Sequence, residues 1–502
     1  MGCSSSIYID LHPLLHLSHW LCLFFFFNLH TEAWFFSTYV HQLPTMPFIE
    51  CSSPPIRMDN ARIDAASQGK LLPTIVDELA RDEPDGVWIE YPTCPTSFDG
   101  GYSQITYAEL ANAVNGVANC ITSALGRHNT GESLAWLAPN SPLCSITLIA
   151  AMKAGFKLLL VSERNTVAQN HDLFEDVECF TIITTNAAFP QVRATLHGRR
   201  ISVIELPLFE QLLHEPQRRY EDHKELKCLY YETAFILHTA GSTGSPKPML
   251  YSHSFIANVA RNIGLSAPEG YETQSSMLGS NRCLLLCPLS DPAGVYFSVL
   301  NAIFNNTTVI LPLSGIPLTS RILAQTLQHI EADWAALSPP TLEVMSTDVP
   351  SLEEIGSHLE FLVFAGEYLA KRYGDVVASK IRLMPLPHSP ETGLLPTIYH
   401  YGHDFRYDWN YFRFHPAVGA NFAPMSGGVY ELEFNRTPAT ELYLPILINS
   451  YEFMTQDLYT KHPTMPDTWT HASQVLMINE DKPEPVDFDK HVCRLSDVSA
   501  TF

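Results

Sequence analysis

The stretch LAWLAPNSPLCSITLIAAMKAGFKLLLV, residues 134–161, reads as strand, helix, strand. Residues 134–138 form a short apolar run closed by Pro139-Asn140, a pair that turns the chain out of an extended segment. A helical stretch follows over about residues 143–154, and residues 156–161 return as a second apolar run. Such a βαβ unit builds a parallel sheet, since parallel neighbours need a crossover and a helix supplies it.

The surroundings extend that pattern. Thr106-Tyr-Ala-Glu109 is a capping box, in which the hydroxyl and the carboxylate satisfy free amides at a helix start. Tyr107, Leu110, Ala111, Val114, Val117, Ala118 and Ile121 then recur at helical spacing. Further β-rich runs follow at 181–185, 201–206, 235–239, 283–287 and 308–311, with no internal repeat. The expectation is a layered α/β fold, two mixed or parallel sheets covered by helices.

Composition bounds the function. A chain of 502 residues predicts about two to four units. A formal charge of −23 without any basic run argues against nucleic acid, which is held by clustered Lys and Arg. The 11 cysteines are scattered and show no metal-site spacing; Cys283 and Cys287 lie in an apolar run. Buried free thiols suit a reducing compartment, so a cytoplasmic location is expected. Residues 11–29 are long enough for a membrane helix, but Pro13, His12, His16 and His19 interrupt them and no cationic flank precedes. The expectation is against a membrane span. The first six residues fit a myristoylation pattern, and Met46 or Met58 offers a later start; the sequence leaves both open.

The strongest chemical signal is His238-Thr-Ala-Gly-Ser-Thr-Gly-Ser-Pro-Lys247, after one strand-like run and before a helical run at about 254–262. Gly241 and Gly244 let backbone amides approach phosphate oxygens, because they carry no Cβ. Ser242 and Thr243 add hydroxyls, and Lys247 adds a point charge. The spacing is not that of a Walker A loop.

Those residues resemble the phosphate-binding signature of the adenylate-forming superfamily, which includes acyl-CoA synthetases, luciferases and nonribosomal peptide synthetase adenylation domains. The wording is most like that of fungal synthetase-like adenylate-forming reductases. Ala138-Pro-Asn-Ser-Pro142, Ala154-Gly155-Phe-Lys157 and Ser162-Glu-Arg164-Asn165 resemble further landmarks, and the likeness covers about residues 70–490. It implies ATP and Mg2+ as cofactors and a carboxylic acid as substrate, activated as acyl-adenylate with loss of pyrophosphate. A carrier protein or reductase would be the partner.

The resemblance also implies site residues. His238, Thr239, Gly241, Ser242, Thr243 and Gly244 would hold nucleotide, with Lys247 catalytic. Ser389-Pro-Glu391-Thr392-Gly393 stands where the family has its G-x-T-E segment, with His388 for Gly and Pro390 for Thr. Glu391 would be catalytic and, with Thr243, would bind Mg2+, while Thr392 would flank the nucleotide. Thr455-Gln456-Asp457 matches the family's T-G-D motif, whose Asp accepts from the ribose hydroxyls; Gln for Gly reads as the milder departure. Asp291 falls at the mouth of the acid pocket, which leaves open either a cationic substrate or decay of the site.

Three regions are therefore expected: a poorly defined extension over 1–60, a large N-terminal adenylation domain over 61–460, and a hinge with a remnant of the small C-terminal subdomain over 461–502. Asp467-Thr-Trp469-Thr-His471-Ala-Ser-Gln474 stands in the hinge position without its Gly-Arg or Asp pair, and Lys482 lies too early for the late lysine of that subdomain. Two functions follow. One is a carboxylate-adenylating enzyme of secondary metabolism; the other is a catalytically inactive, truncated relative that binds nucleotide or acid without turnover.

Overall fold

The computed structural model describes residues 70–474, except 127–130, 187–188, 222–228, 240–245, 280, 366–367, 390–391, 436 and 438–451. These residues all fall in the compact unit Arg57–Phe502. The βαβ reading is realised as strand Ser133–Trp136, helix Leu143–Ala154 and strand Lys157–Leu160, with the two strands parallel.

Around that unit lies a six-stranded sheet. Its order is Ser202–Glu205, Thr181–Thr184, Ser133–Trp136, Lys157–Leu160, Thr233–His238, Pro248–Ser252. Only the last strand is antiparallel. A seven-stranded sheet runs Arg382–Pro385, Phe361–Phe364, Trp334–Leu337, Arg282–Leu285, Thr308–Ile310, Val87–Pro92, Tyr102–Thr106, again with one antiparallel edge.

Side-chain parity arranges these sheets into layers. Side chains alternate across a strand, so Leu134 and Trp136 join one core while Ala135 and Leu137 join another. Likewise Cys283 and Leu285 face the first core, and Leu284 faces a third. The first core lies between the sheets and contains the helices Tyr107–Leu125, Leu143–Ala154 and His253–Ile263. The outer cores carry Leu173 and Val192 on the six-stranded side, and Leu323, Leu342 and Val377 on the other. The result is a five-layer αβαβα stack. Each fully buried Leu or Ile in it contributes about 1.5–3 kcal/mol.

The capping box at Thr106 forms as read: its hydroxyl accepts from Glu109 N–H at 3.3 Å, and the Glu109 carboxylate accepts from Thr106 N–H at 2.8 Å. Several strands went unread, one of them next to the glycine-rich segment. Pro248–Ser252 turns back antiparallel on Thr233–His238, so the glycine-rich segment closes a hairpin rather than running directly into a helix. A further four-stranded antiparallel sheet comprises Ala420–Pro424, Tyr430–Asn435, Glu452–Lys461 and Trp469–Gln474. Phe422 stacks on Trp469 with ring centroids 3.5 Å apart. The boundary expected at residue 460 thus falls within this sheet.

One polar knot holds the central layer. Lys153, 2% exposed, extends its ammonium to Asp77 at 2.6 and 2.7 Å and to the Asn115 carbonyl at 2.8 Å. Asp77 keeps partial solvent contact. Removing it strands a buried cation, whereas Lys153→Met removes the charge and fills the space. We expect Asp77→Ala to cost about 3 kcal/mol or more and Lys153→Met clearly less. Chemical denaturation of both variants measures this; an equal or reversed order would contradict it.

Candidate active site

The segments singled out by the sequence gather at the carboxyl ends of the parallel strands, where open α/β sheets place their ligands. Ser133–Trp136 leads to Asn140, Lys157–Leu160 to residues 162–165, Thr233–His238 ends on His238, and Arg282–Leu285 leads to residues 288–294. Asn140 ties the two sheets together. Its side-chain carbonyl accepts from Leu289 N–H at 2.9 Å, and its own N–H donates to the Glu163 carboxylate at 2.6 Å. Gly294 is required there, because a Cβ would lie 1.9 Å from the Pro288 carbonyl.

His238 is fixed in one tautomer. Nε2 accepts from Ser162 N–H at 3.1 Å, so the proton sits on Nδ1, which donates to the Thr239 carbonyl at 3.1 Å. Asn165 stands 3.3 Å from the same Nε2. Burial pushes His238 below its ordinary pKa, against the pull of Asp291. Beyond it, Thr239 N–H donates to the Lys247 carbonyl at 3.0 Å, and Lys247 N–H donates to the Thr239 hydroxyl at 3.2 Å. These bonds close the neck of the glycine-rich connection and leave Lys247 exposed beside it. Gly241, Ser242, Thr243 and Gly244 lie outside the described residues.

The second segment is a hairpin in which His388–Ser389 pairs with Gly393–Leu394. Thr392 is buried; its N–H donates to the Ser389 hydroxyl at 3.1 Å, and the two hydroxyls lie 2.9 Å apart. Glu391 lies outside the described residues, in the connection of this hairpin. Gly393 has φ 67°, and a Cβ there would meet the Phe255 ring at 2.7 Å. Phe255 also contacts Tyr251 and Phe235, with centroids 4.7 and 6.5 Å apart, so the hairpin packs onto the strands flanking Lys247.

The third segment is a bulge. Residues 431 and 433 pair with 458 and 454, so the second strand carries two extra residues at 455–457. The Thr455 hydroxyl donates to the Leu432 carbonyl at 3.0 Å and accepts from Asp457 N–H at 3.1 Å. Gln456 sits at φ 62°, in the left-handed region. Its N–H is taken by Glu431, whose carboxyl is raised by burial and lowered by this bond. The Gln-for-Gly exchange is therefore a costly one, since a side chain here is strained by about 1 kcal/mol or more. Asp457 is flanked by two histidines. His471 Nε2 lies 3.5 Å from its Oδ1, and its charge opposes the burial that lowers His388. The hairpin of Thr392 carries His388, which feels the Asp457 charge, and the same hairpin packs on Phe255 through Gly393.

Asp291 precedes the short helix Pro292–Val295 without capping it. Burial raises its carboxyl, while Arg164 and then His238 pull it down. Its charge meets the Arg164 cation of the protein itself.

The family model for AMP-binding enzymes matches residues 77–381, more than half of the chain. The chain belongs to the AMP-binding enzyme family. It is 26% identical to a carboxylic acid reductase of Neurospora crassa over 436 residues, which is 84% of this chain and 41% of the reductase. It thus spans about two fifths of that relative's length. The N-terminal subdomain of NpsA from Klebsiella oxytoca, solved with 3-hydroxybenzoyl-AMSN, covers 81% of this chain and 100% of its own at 18% identity and TM-score 0.59. ATP-bound MatB from Rhodopseudomonas palustris covers 80% and 79% at 16% identity and TM-score 0.62. These two likenesses establish the layered fold.

Sequence reading missed several residues around this crevice. The bridge from Asn140 to Leu289 joins positions 149 apart, and no local pattern announces it. His471 arrives from the strand Trp469–Gln474, which pairs with the strand of Asp457. Among the described residues no helix is long and apolar enough to cross a membrane, and no acidic, His or Cys cluster could hold a metal.

Two predictions follow from this geometry. His238, His388 and His403 are all lowered by burial. Their neutral forms favour the fold, so their contribution is complete above the unfolded value of about 6.5 and is lost as pH falls below it. Tm should decline from pH 7 to 5.5, and His238→Gln, which keeps an acceptor for Ser162 N–H, should decline less; equal slopes would refute the assignment. Separately, Gln456→Gly should raise Tm by about 1–3 °C by relieving the left-handed strain; a lowered Tm would contradict that.

Proposed function

We propose that the chain activates a carboxylic acid as its acyl-adenylate, with ATP as the second substrate. The observation that carries this reading is the closed neck between Thr239 and Lys247, which holds a glycine-rich connection at the carboxyl ends of two sheets. Family membership and the ATP-bound state of MatB support it.

A carboxylate oxygen attacks the α-phosphorus, the bond to the β-phosphate oxygen breaks, and pyrophosphate leaves with the electron pair. Little covalent work falls to the protein, so positioning and charge dominate. Lys247, with the amides of Gly241 and Gly244 and the hydroxyls of Ser242 and Thr243, steadies the leaving pyrophosphate. His238 and Thr239 hold the start of that segment. Thr392 flanks the nucleotide, and Asp457 accepts from the ribose hydroxyls, for which a carboxylate offers two oxygens. Thr243 and Glu391 would hold Mg2+; a hydroxyl and a carboxylate are the hard oxygen donors that ion takes. Their two connections spring from strands packed together through Phe255 and Gly393. The bound ion would neutralise phosphate charge.

In this reading residues 61–460 form the catalytic body and 461–502 the hinge region, working in the cytoplasm. The acyl-adenylate passes to a carrier or reductase partner in secondary metabolism, as the likeness to a carboxylic acid reductase suggests. The test is acid-dependent pyrophosphate release from ATP. Lys247→Ala should lower the rate by about 10²–10³, the usual effect of deleting one charge-stabilising donor. Wild-type-like turnover by that variant would sink the role of Lys247. A folded protein that binds ATP yet releases nothing with any acid would instead mark a relative that binds without turnover.

A further inference from the structure

The carboxylate set against the ribose in the reading above has a histidine beside it. His471 Nε2 lies 3.5 Å from Asp457 Oδ1, at the outer limit of a hydrogen bond. The two residues stand on paired strands, Trp469–Gln474 and Glu452–Lys461. The Asp457 side chain is 13% exposed and that of His471 is 32% exposed. Protons therefore reach the imidazole, while the pair keeps some shelter from solvent.

His471 differs from other histidines that the fold ties down. An imidazole nitrogen that accepts from a backbone N–H must give up that bond to take a proton. His238 Nε2 accepts from Ser162 N–H, and His462 Nδ1 accepts from the N–H groups of Thr464 and Met465. Burial favours the neutral form of His388. Among the described residues no backbone N–H is donated to His471, and Asp457 is its one hydrogen-bond partner. Two rings also face it. Tyr459, on the strand of Asp457, lies with its centroid 5.4 Å away, and Tyr368, after the strand Phe361–Phe364, at 6.5 Å. Burial keeps the Tyr459 phenol neutral. On the far side, His388 feels the Asp457 charge in turn.

Histidine is the side chain that gains its charge just below neutral pH. An imidazolium at this position would hold Asp457 Oδ1 more strongly than the neutral ring does. A ribose diol needs the same carboxylate, one oxygen for each hydroxyl. The two compete. We propose that His471 is a positioning residue that controls Asp457: neutral, it leaves the carboxylate to the ribose hydroxyls, and protonated, it draws the carboxylate away. This rests on the nucleotide reading above and gives that site a pH dependence. The proton favours the empty site, so affinity for the hydroxyls falls as pH falls.

The test uses the full chain with ATP and 2′,3′-dideoxyATP, which share base and triphosphate and differ only in the two hydroxyls. Titration calorimetry at pH 8 and pH 6 gives the ratio of their affinities, in which the titration of the phosphates cancels. In the wild type the preference for ATP should drop by about threefold between pH 8 and pH 6, the size expected of a partly exposed ion pair. His471→Gln, which cannot charge, and His471→Phe, which keeps a ring against Tyr459, should each hold a constant preference. A wild-type preference that stays level or grows on acidification, or one that drops equally in both variants, would overturn the proposal. Acid-dependent pyrophosphate release is read at pH 8 on the same protein. Release with a level preference rejects the role of His471 and leaves adenylation standing. A falling preference that both variants level, without any release, upholds His471 while turnover fails. A protein that binds neither nucleotide overturns both readings.

Discussion

All twelve residues of the helix Leu143–Ala154 are buried, and that constraint organises the rest. A helix without a solvent face must be covered on every side, so it lies in the layer between the two sheets, against the long helix Tyr107–Leu125. Sharing one helical layer brings the carboxyl ends of both parallel sheets to the same crevice. The site is a consequence of that arrangement. Asn140, two residues past the apolar run of the first strand, then needs only one carboxamide to bridge to Leu289 of the second sheet. Lys153 is the cost of burying the helix to its last turn, and Asp77 with Asn115 offsets it.

Much of this was legible because local rules and the fold agree. The capping box at Thr106, the helix near 143–154 and most of the parallel strands obey periodicities of 3.6 and 2, which a single sequence displays. The strand Pro248–Ser252 escaped because it opens with proline and lies on a sheet edge, where that residue is tolerated and the pattern is weak. Strand Trp469–Gln474 escaped for another reason. Its place is fixed by Phe422 stacking on Trp469 and by pairing with Glu452–Lys461, neither of which is visible along the chain.

At the site, residue types were legible and their conformations were not. Thr455-Gln456-Asp457 announces a carboxylate, but only the two-residue bulge and the φ of 62° show why the family favours glycine in the middle.

At the strand ends the fold sets the ionisable and polar groups of the crevice against one another. His238 spends both ring nitrogens within the protein, one on Ser162 and one on Thr239. It therefore holds Thr239, at the start of the glycine-rich connection, in place, and its depressed pKa keeps that acceptor available near neutrality. Asp291, Arg164 and Glu163 lie around it, so the local charges face one another at the strand ends. Charge at the strand ends is thus met within the fold: burial raises the Asp291 carboxyl, and the Arg164 guanidinium pulls it back down.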